Sequence, residues 1–379
     1  MLLEVKGIPM RYVACVAVLA VWSAGSAGSF AHPPEASGES GHFLHAEHWS
    51  HAAPAPIDGL ALTHAVTLGH GDHRYESVPD WCKLPFEGPM GNTHGGLVVD
   101  KSGFVYTNTD TARSIMVFAP DGTLVRTFGH EFVGIHHMVI VLEGSGEEAV
   151  EFLYAVHLAG DAVVKFTLAG EVVWRLGVPA ESGKYDDNPG AYNPTSVAVA
   201  PGGDIYVADG YGRNWIHQFD KDRNYLRSFG GPGKEPGQFQ TCHGLGIDTR
   251  SDTPMLIVCD REGRRLQRFT LDGAFVDVVA TDLRRPCAIA FWGGLMGVAE
   301  LEGRVVLMDK DFKIVSTLGD NPDRGQWANH GVPPEAWQPG VFTAPHSMNF
   351  DSAGNVYVQD WNASGRISKL QRLPPDRDQ

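Results

Sequence analysis

From residue 94 onward one phrase recurs along the chain: a His- or Pro-containing start, an alternating apolar strand, a glycine turn, a Val-Tyr strand ending in Asp, then two more strands. Pro194-Thr-Ser-Val-Ala-Val-Ala-Pro-Gly-Gly-Asp-Ile-Tyr-Val-Ala-Asp209 is the clearest copy. His94-Gly-Gly-Leu-Val-Val-Asp, leading to Gly103-Phe-Val-Tyr, matches it, as does His346-Ser-Met-Asn-Phe-Asp, leading to Gly354-Asn-Val-Tyr-Val-Gln-Asp360. Alternation of period two, broken by Asp-Gly and Gly-Gly turns, specifies antiparallel strands. Four short strands in each repeat of roughly 40 to 60 residues specify propeller blades.

Aligning the residue that opens each innermost strand gives positions 94, 137, 195, 243, 287 and 346, hence six blades. The last blade shows three strands before the chain ends, and its open edge needs covering. The stretch His73 to Trp81 supplies the missing strand. The expected fold is therefore all-β, a six-bladed β-propeller over residues 73–372 whose ring is closed by an N-terminal strand, with residues 373–379 as a tail.

The six slot residues are His94, His137, Thr195, His243, Cys287 and His346. Inner strands line the axis, so their side chains converge. Blades two, four and six lie a third of a turn apart, which points His137, His243 and His346 at a common centre. Three imidazoles with open positions left over describe a catalytic zinc site rather than a closed structural one. His136, next to His137, faces the other way if the pleat is regular. His94 lines the channel and hydrogen-bonds a ligand or water, or else makes a four-histidine centre suited to iron and oxygen chemistry. Cys287 is a ligand or a small buried residue. Tyr211 follows an Asp-Gly turn near the channel mouth. Its phenol needs a cation or metal nearby to act as a base at neutral pH, and Arg261 offers such a charge or a clamp for a carboxylate.

Residues 1–31 read as an export signal, with Lys6 and Arg11 before an apolar run and small residues through Ala31. The chain is thus expected in the periplasm or outside the cell, with no membrane span once the signal is removed. Residues 32–72, rich in His, Pro and Gly, read as a flexible segment. The formal net charge of -15 argues against nucleic acid and anionic membranes as partners and favours a small ligand or a neutral surface; the expected partner is a small-molecule or peptide substrate, and the chain is expected to be a monomer. After signal removal Cys82, Cys242, Cys259 and Cys287 remain, and Cys242 and Cys259 are candidates to pair across the blade-four hairpin.

With His243-Gly-Leu-Gly-Ile-Asp, Asp260-Arg-Glu, Asp209-Gly-Tyr211 and Pro345-His346, the chain resembles the NHL-repeat propellers, and among them peptidyl-α-hydroxyglycine α-amidating lyase, over about residues 90–370. The resemblance implies zinc on His137, His243 and His346, Tyr211 as base and Arg261 against substrate. It further implies cleavage of the C–N bond of a C-terminal α-hydroxyglycine to an amide and glyoxylate. The family's second carboxylate-binding Arg, on blade one, has no direct match in Tyr106-Thr-Asn-Thr-Asp; Arg113 is the nearest substitute. Ala344 replaces a family Met. Ser347 stands where the family has an Asp of a structural calcium site, which puts calcium in question. The alternatives are a non-catalytic NHL module that binds a ligand or protein, and a four-histidine iron oxidoreductase.

Overall fold

Alternating apolar strands bury their faces against one another as six sheets in the computed structural model, which describes residues 64–375. The proposed signal 1–31, most of the segment 32–72 and the end of the tail lie outside those residues. The innermost strands are Leu97–Val99, Ile135–Glu143, Ser196–Val199, Cys242–Asp248, Pro286–Trp292 and Pro345–Phe350. Each touches the next, and the sixth touches the first, so the sheets form a ring of six blades around an axis.

Blades one to five are four-stranded antiparallel sheets in chain order. The sixth takes Pro345–Phe350, Val356–Asp360 and Arg366–Arg372 from the C-terminal end, and His73–Val78 pairs antiparallel with Arg366–Arg372. A further strand, Thr67–His70, pairs with His73–Val78, so the sheet begins earlier than residue 73 and has five strands.

Among the described residues the core forms six large layers, one between each pair of neighbouring blades, and a small seventh cluster of Cys287, Leu301 and Ala344. Phe128, Phe132, Met138 and Phe166 fill the layer between blades one and two, and Tyr75, Leu318, Phe342 and Met348 the layer between blades five and six. Cys242 faces the layer between blades three and four, while Cys259 faces the layer between blades four and five. The two thiols are on opposite faces of one sheet, cannot meet the geometry of a bridge, and are both free. The expected pairing is thereby corrected.

An acid at the end of the second strand ties down the loop that precedes the inner strand of the same blade. Asp209 accepts from the Asn193 N–H (2.7 Å), Asp260 from those of Gln240 and Thr241 (2.8 and 3.1 Å), and Asp360 from those of Thr343 and Ala344 (2.8 and 2.7 Å). A carboxylate oxygen taking backbone N–H groups is a strong, directional anchor. It sets the height at which the next residues enter the channel.

Candidate metal centre

The second strands of blades one, two, three and six each carry a tyrosine that marks register: Val98 pairs with Tyr106, Val139 with Tyr154, Ala198 with Tyr206 and Asn349 with Tyr357. Three residues upstream of those partners stand Gly95, His136, Thr195 and His346. The equivalent positions in blades four and five are His243 and Cys287. In blades two, four, five and six the ladder skips this residue, with register shifts at Ile135/His137, Cys242/Gly244, Pro286/Ala288 and Pro345/Ser347. Each of His136, His243, Cys287 and His346 is thus the extra residue of a bulge, a device that re-aims a side chain.

The expectation for His137 is corrected here. The pleat at Ile135–His137 is irregular, so His136 turns to the axis, and His137 faces further down the channel, where its Nδ1 accepts from the Val197 N–H at 3.4 Å. Burial pushes the His137 imidazole down to about 4. His94 precedes the blade-one slot, which belongs to Gly95.

The structure gathers His136, His243 and His346, which are 1%, 2% and 1% exposed. Their ring centroids are 4.9, 5.1 and 4.8 Å apart, and the rings stand at 66°, 88° and 80° to one another. Imidazoles bound through one nitrogen at about 2.0–2.1 Å around a tetrahedral ion hold their centroids about 5 Å apart. Backbone carbonyls fix two of the rings: His136 Nδ1 lies 2.7 Å from Thr195 O, and His243 Nδ1 lies 2.9 Å from Cys287 O. A proton held on Nδ1 in this way leaves Nε2 as the lone-pair nitrogen, the usual arrangement behind a metal-binding imidazole. The residues present fit a divalent, nitrogen-preferring metal. One nitrogen each from His94, His136 and His346 falls within 4.8 Å of the others, and the same holds for His243, Cys287 and His346 with the Cys287 sulphur. Burial raises the Cys287 thiol to about 12, which favours its neutral form.

Tyr211 stands over one edge of the cluster, its hydroxyl 3.0 Å from His243 Nε2 and 3.3 Å from His136 Nε2. Arg261 Nη1 donates to that hydroxyl at 2.9 Å. Burial pushes the Tyr211 phenol up to about 12, with the Arg261 charge pulling the other way. Glu262 anchors Arg261 through Nε at 2.8 Å and takes a second bond from Arg285 Nη2 at 2.6 Å. Arg113 is elsewhere: its guanidinium lies 4.0 Å from the Phe86 ring centre and Nη1 donates to Met90 O at 3.3 Å. It therefore does not join the cluster.

The channel continues past the histidines as a cavity of about 600 Å³ walled by Val139, Val141, Val199, Ile247, Ile289 and Phe291. Ser347 lines it and donates to Leu97 O at 3.5 Å. Among the described residues that line it there is no carboxylate. Calcium takes six to eight oxygen ligands, typically including carboxylates, and the residues here do not fit it.

Residues 192–219 match the family described as NHL repeat. The chain is 29% identical over 217 residues to human NHL repeat-containing protein 3, covering 56% of this chain and 61% of that one. It is 33% identical over 130 residues to a Caenorhabditis elegans protein named probable peptidyl-alpha-hydroxyglycine alpha-amidating lyase, covering 31% and 36%. It is 40% identical over 183 residues to Xenopus laevis peptidyl-glycine alpha-amidating monooxygenase B, covering 45% and 19%. The matches span less than two thirds of each relative's length. The chain is a six-bladed propeller with one segment that matches an NHL repeat, and it resembles the amidating lyase.

Proposed function

We propose that this chain is an exported metal-dependent lyase that cleaves the C–N bond of a C-terminal α-hydroxyglycine peptide, releasing the peptide amide and glyoxylate. The observation that carries the proposal is the meeting of His136, His243 and His346 beneath the Tyr211–Arg261 pair. Its substrate class comes from the names of the amidating relatives. His136, His243 and His346 would hold the metal, with zinc the first candidate for a buried imidazole set. Bound there, zinc supplies a Lewis acid for an alcohol or carbonyl oxygen.

Tyr211 takes the proton of the substrate hydroxyl. Arg261 favours the phenolate by its charge, and Glu262 keeps the guanidinium in place. The guanidinium stays protonated in the protein, and the Glu262 carboxylate on its Nε offsets the cost of burying its charge. The remaining N–H groups of its planar fork suit a substrate carboxylate. As the C–N bond breaks, its electron pair goes to the amide nitrogen, which gains a proton, while the carbinol carbon becomes the aldehyde of glyoxylate.

The test is elemental analysis of the purified protein together with glyoxylate release from a peptidyl-α-hydroxyglycine before and after chelation. Bound metal, and turnover lost on chelation and regained with zinc, are expected. A metal-free, folded protein without turnover in any state would leave a non-catalytic NHL module.

A further inference from the structure

The cluster has a second flank that the lyase reading leaves unused. Blade one places Gly95 in the slot, and the site depends on its lack of a side chain: φ is +90°, and a Cβ would lie 2.4 Å from His346 Nδ1 and 2.6 Å from His136 O. The preceding residue, His94, sends its ring into the space beside that glycine. His94 is 3% exposed, and its ring centroid lies 4.8 Å from that of His136 and 5.4 Å from that of His346. Tyr211 covers the His136–His243 edge of the cluster, whereas His94 covers the His136–His346 edge.

Behind His94 stands a buried carboxylate. Asp110 Oδ2 is 3.5 Å from His94 Nδ1, and the two side chains are 6% and 4% exposed. Asn92 Nδ2 donates to the same Oδ2 at 2.5 Å, and Asn92 Oδ1 lies 2.6 Å from His330 Nε2. Among the described residues Asp110 Oδ1 has no hydrogen-bond partner. A carboxylate kept out of water with one oxygen unmatched requires positive charge nearby. A carboxylate on Nδ1 leaves Nε2 of the imidazole for a metal, the carboxylate–histidine–metal arrangement.

We infer that His94, oriented by Asp110, is a fourth nitrogen donor to the metal of this site. The inference rests on the metal reading above and changes its chemistry. Four protein ligands close a tetrahedral ion, as in structural zinc sites. With four donors a tetrahedral ion would have no open position, and substrate binding would require a metal that accepts a fifth or sixth ligand. The site selects for metals that accept such geometry with imidazole donors, a set that includes iron and nickel as well as zinc.

The full chain, stripped of metal by chelation, is titrated with cobalt(II), and its visible ligand-field spectrum and Kd are recorded for wild type, His94→Ala, Asp110→Asn and His136→Ala. Asp110→Asn is expected to weaken binding about 10–100-fold with the spectrum keeping its form. His94→Ala is expected to weaken it further and to change the spectrum. X-ray absorption on the cobalt-loaded wild type is expected to count four imidazoles; it decides the matter even if both His94→Ala and His94→Asn fail to fold. Wild-type affinity and spectrum in folded His94→Ala, or a count of three, overturns the fourth donor while leaving the three-histidine site in place. Wild type that binds no cobalt overturns the metal reading and this inference with it.

Discussion

At one end of the central channel His94, His136, His243 and His346 crowd together with Tyr211 and Arg261; at the other, the same six inner strands present Val, Ile and Phe side chains around His137. His136 and His137 are neighbours in sequence and belong to different environments. The first has Thr195 O on its Nδ1 and Nε2 near a phenol; the second accepts from a backbone N–H in an aliphatic wall. What separates them is one bulge. A regular strand would put alternate residues on alternate faces. By inserting an extra residue at the mouth of the channel, blades two, four and six spend one unpaired position each and gain an inward imidazole.

The sharpest way to break this contrast is to remove each neighbour in turn. His136→Ala is expected to abolish stoichiometric zinc binding in purified protein, whereas His137→Ala leaves the zinc content at the wild-type value. Elemental analysis after gel filtration reads both. Zinc lost from His137→Ala and kept by His136→Ala would reverse the assignment. Next in size, Tyr211→Phe keeps the metal but removes the proton acceptor, so kcat for glyoxylate release falls about 10²–10⁴-fold. Equal kcat in Tyr211→Phe would remove the phenol from the mechanism.

Much of the architecture is legible in the residues themselves. The Gly-turned hairpins and the Val-Tyr strands mark six blades, because period-two burial leaves a direct trace in sequence. Convergence of histidines from blades four and six follows from the same periodicity. The blade-two ligand does not, since a tandem His136-His137 pair is resolved only by knowing where the ladder skips. A signal was present: His243 and His346 each stand two residues before a residue of an inter-blade core, Leu245 and Met348, and in blade two the residue two before Met138 is His136. Alignment on the buried residue rather than on the first polar one finds it. The Asp110 contact to His94 has no comparable trace, because it joins a loop to a strand start through packing alone. Likewise, the separate faces of Cys242 and Cys259 depend on register: Cys242 pairs with Asp260 and Gly244 with Cys259, so the bulge at His243 moves the thiols out of opposition.

Two channel glycines, Gly95 just before the blade-one inner strand and Gly246 within the blade-four one, extend the comparison to stability, with the smallest expected effects. Gly95 lies at the histidine end with φ +90°, and an added Cβ would meet His346 Nδ1 at 2.4 Å and His136 O at 2.6 Å. The backbone oxygen has no freedom to retreat without disturbing the bulge, so Gly95→Ala should cost about 3 kcal/mol from strain and overpacking together. Gly246 lies toward the aliphatic end, where a Cβ would be 3.0 Å from Phe291 Cε2 and 3.3 Å from Ile289 Cγ2. Those are side-chain atoms beside a cavity of about 600 Å³, into which Phe291 has room to turn. Gly246→Ala should therefore cost about 1 kcal/mol, at the low end of the overpacking range. Urea midpoints of the metal-free proteins measure both. A larger loss for Gly246→Ala than for Gly95→Ala would mean that the aliphatic end, and not the histidine end, is the rigid part of the channel.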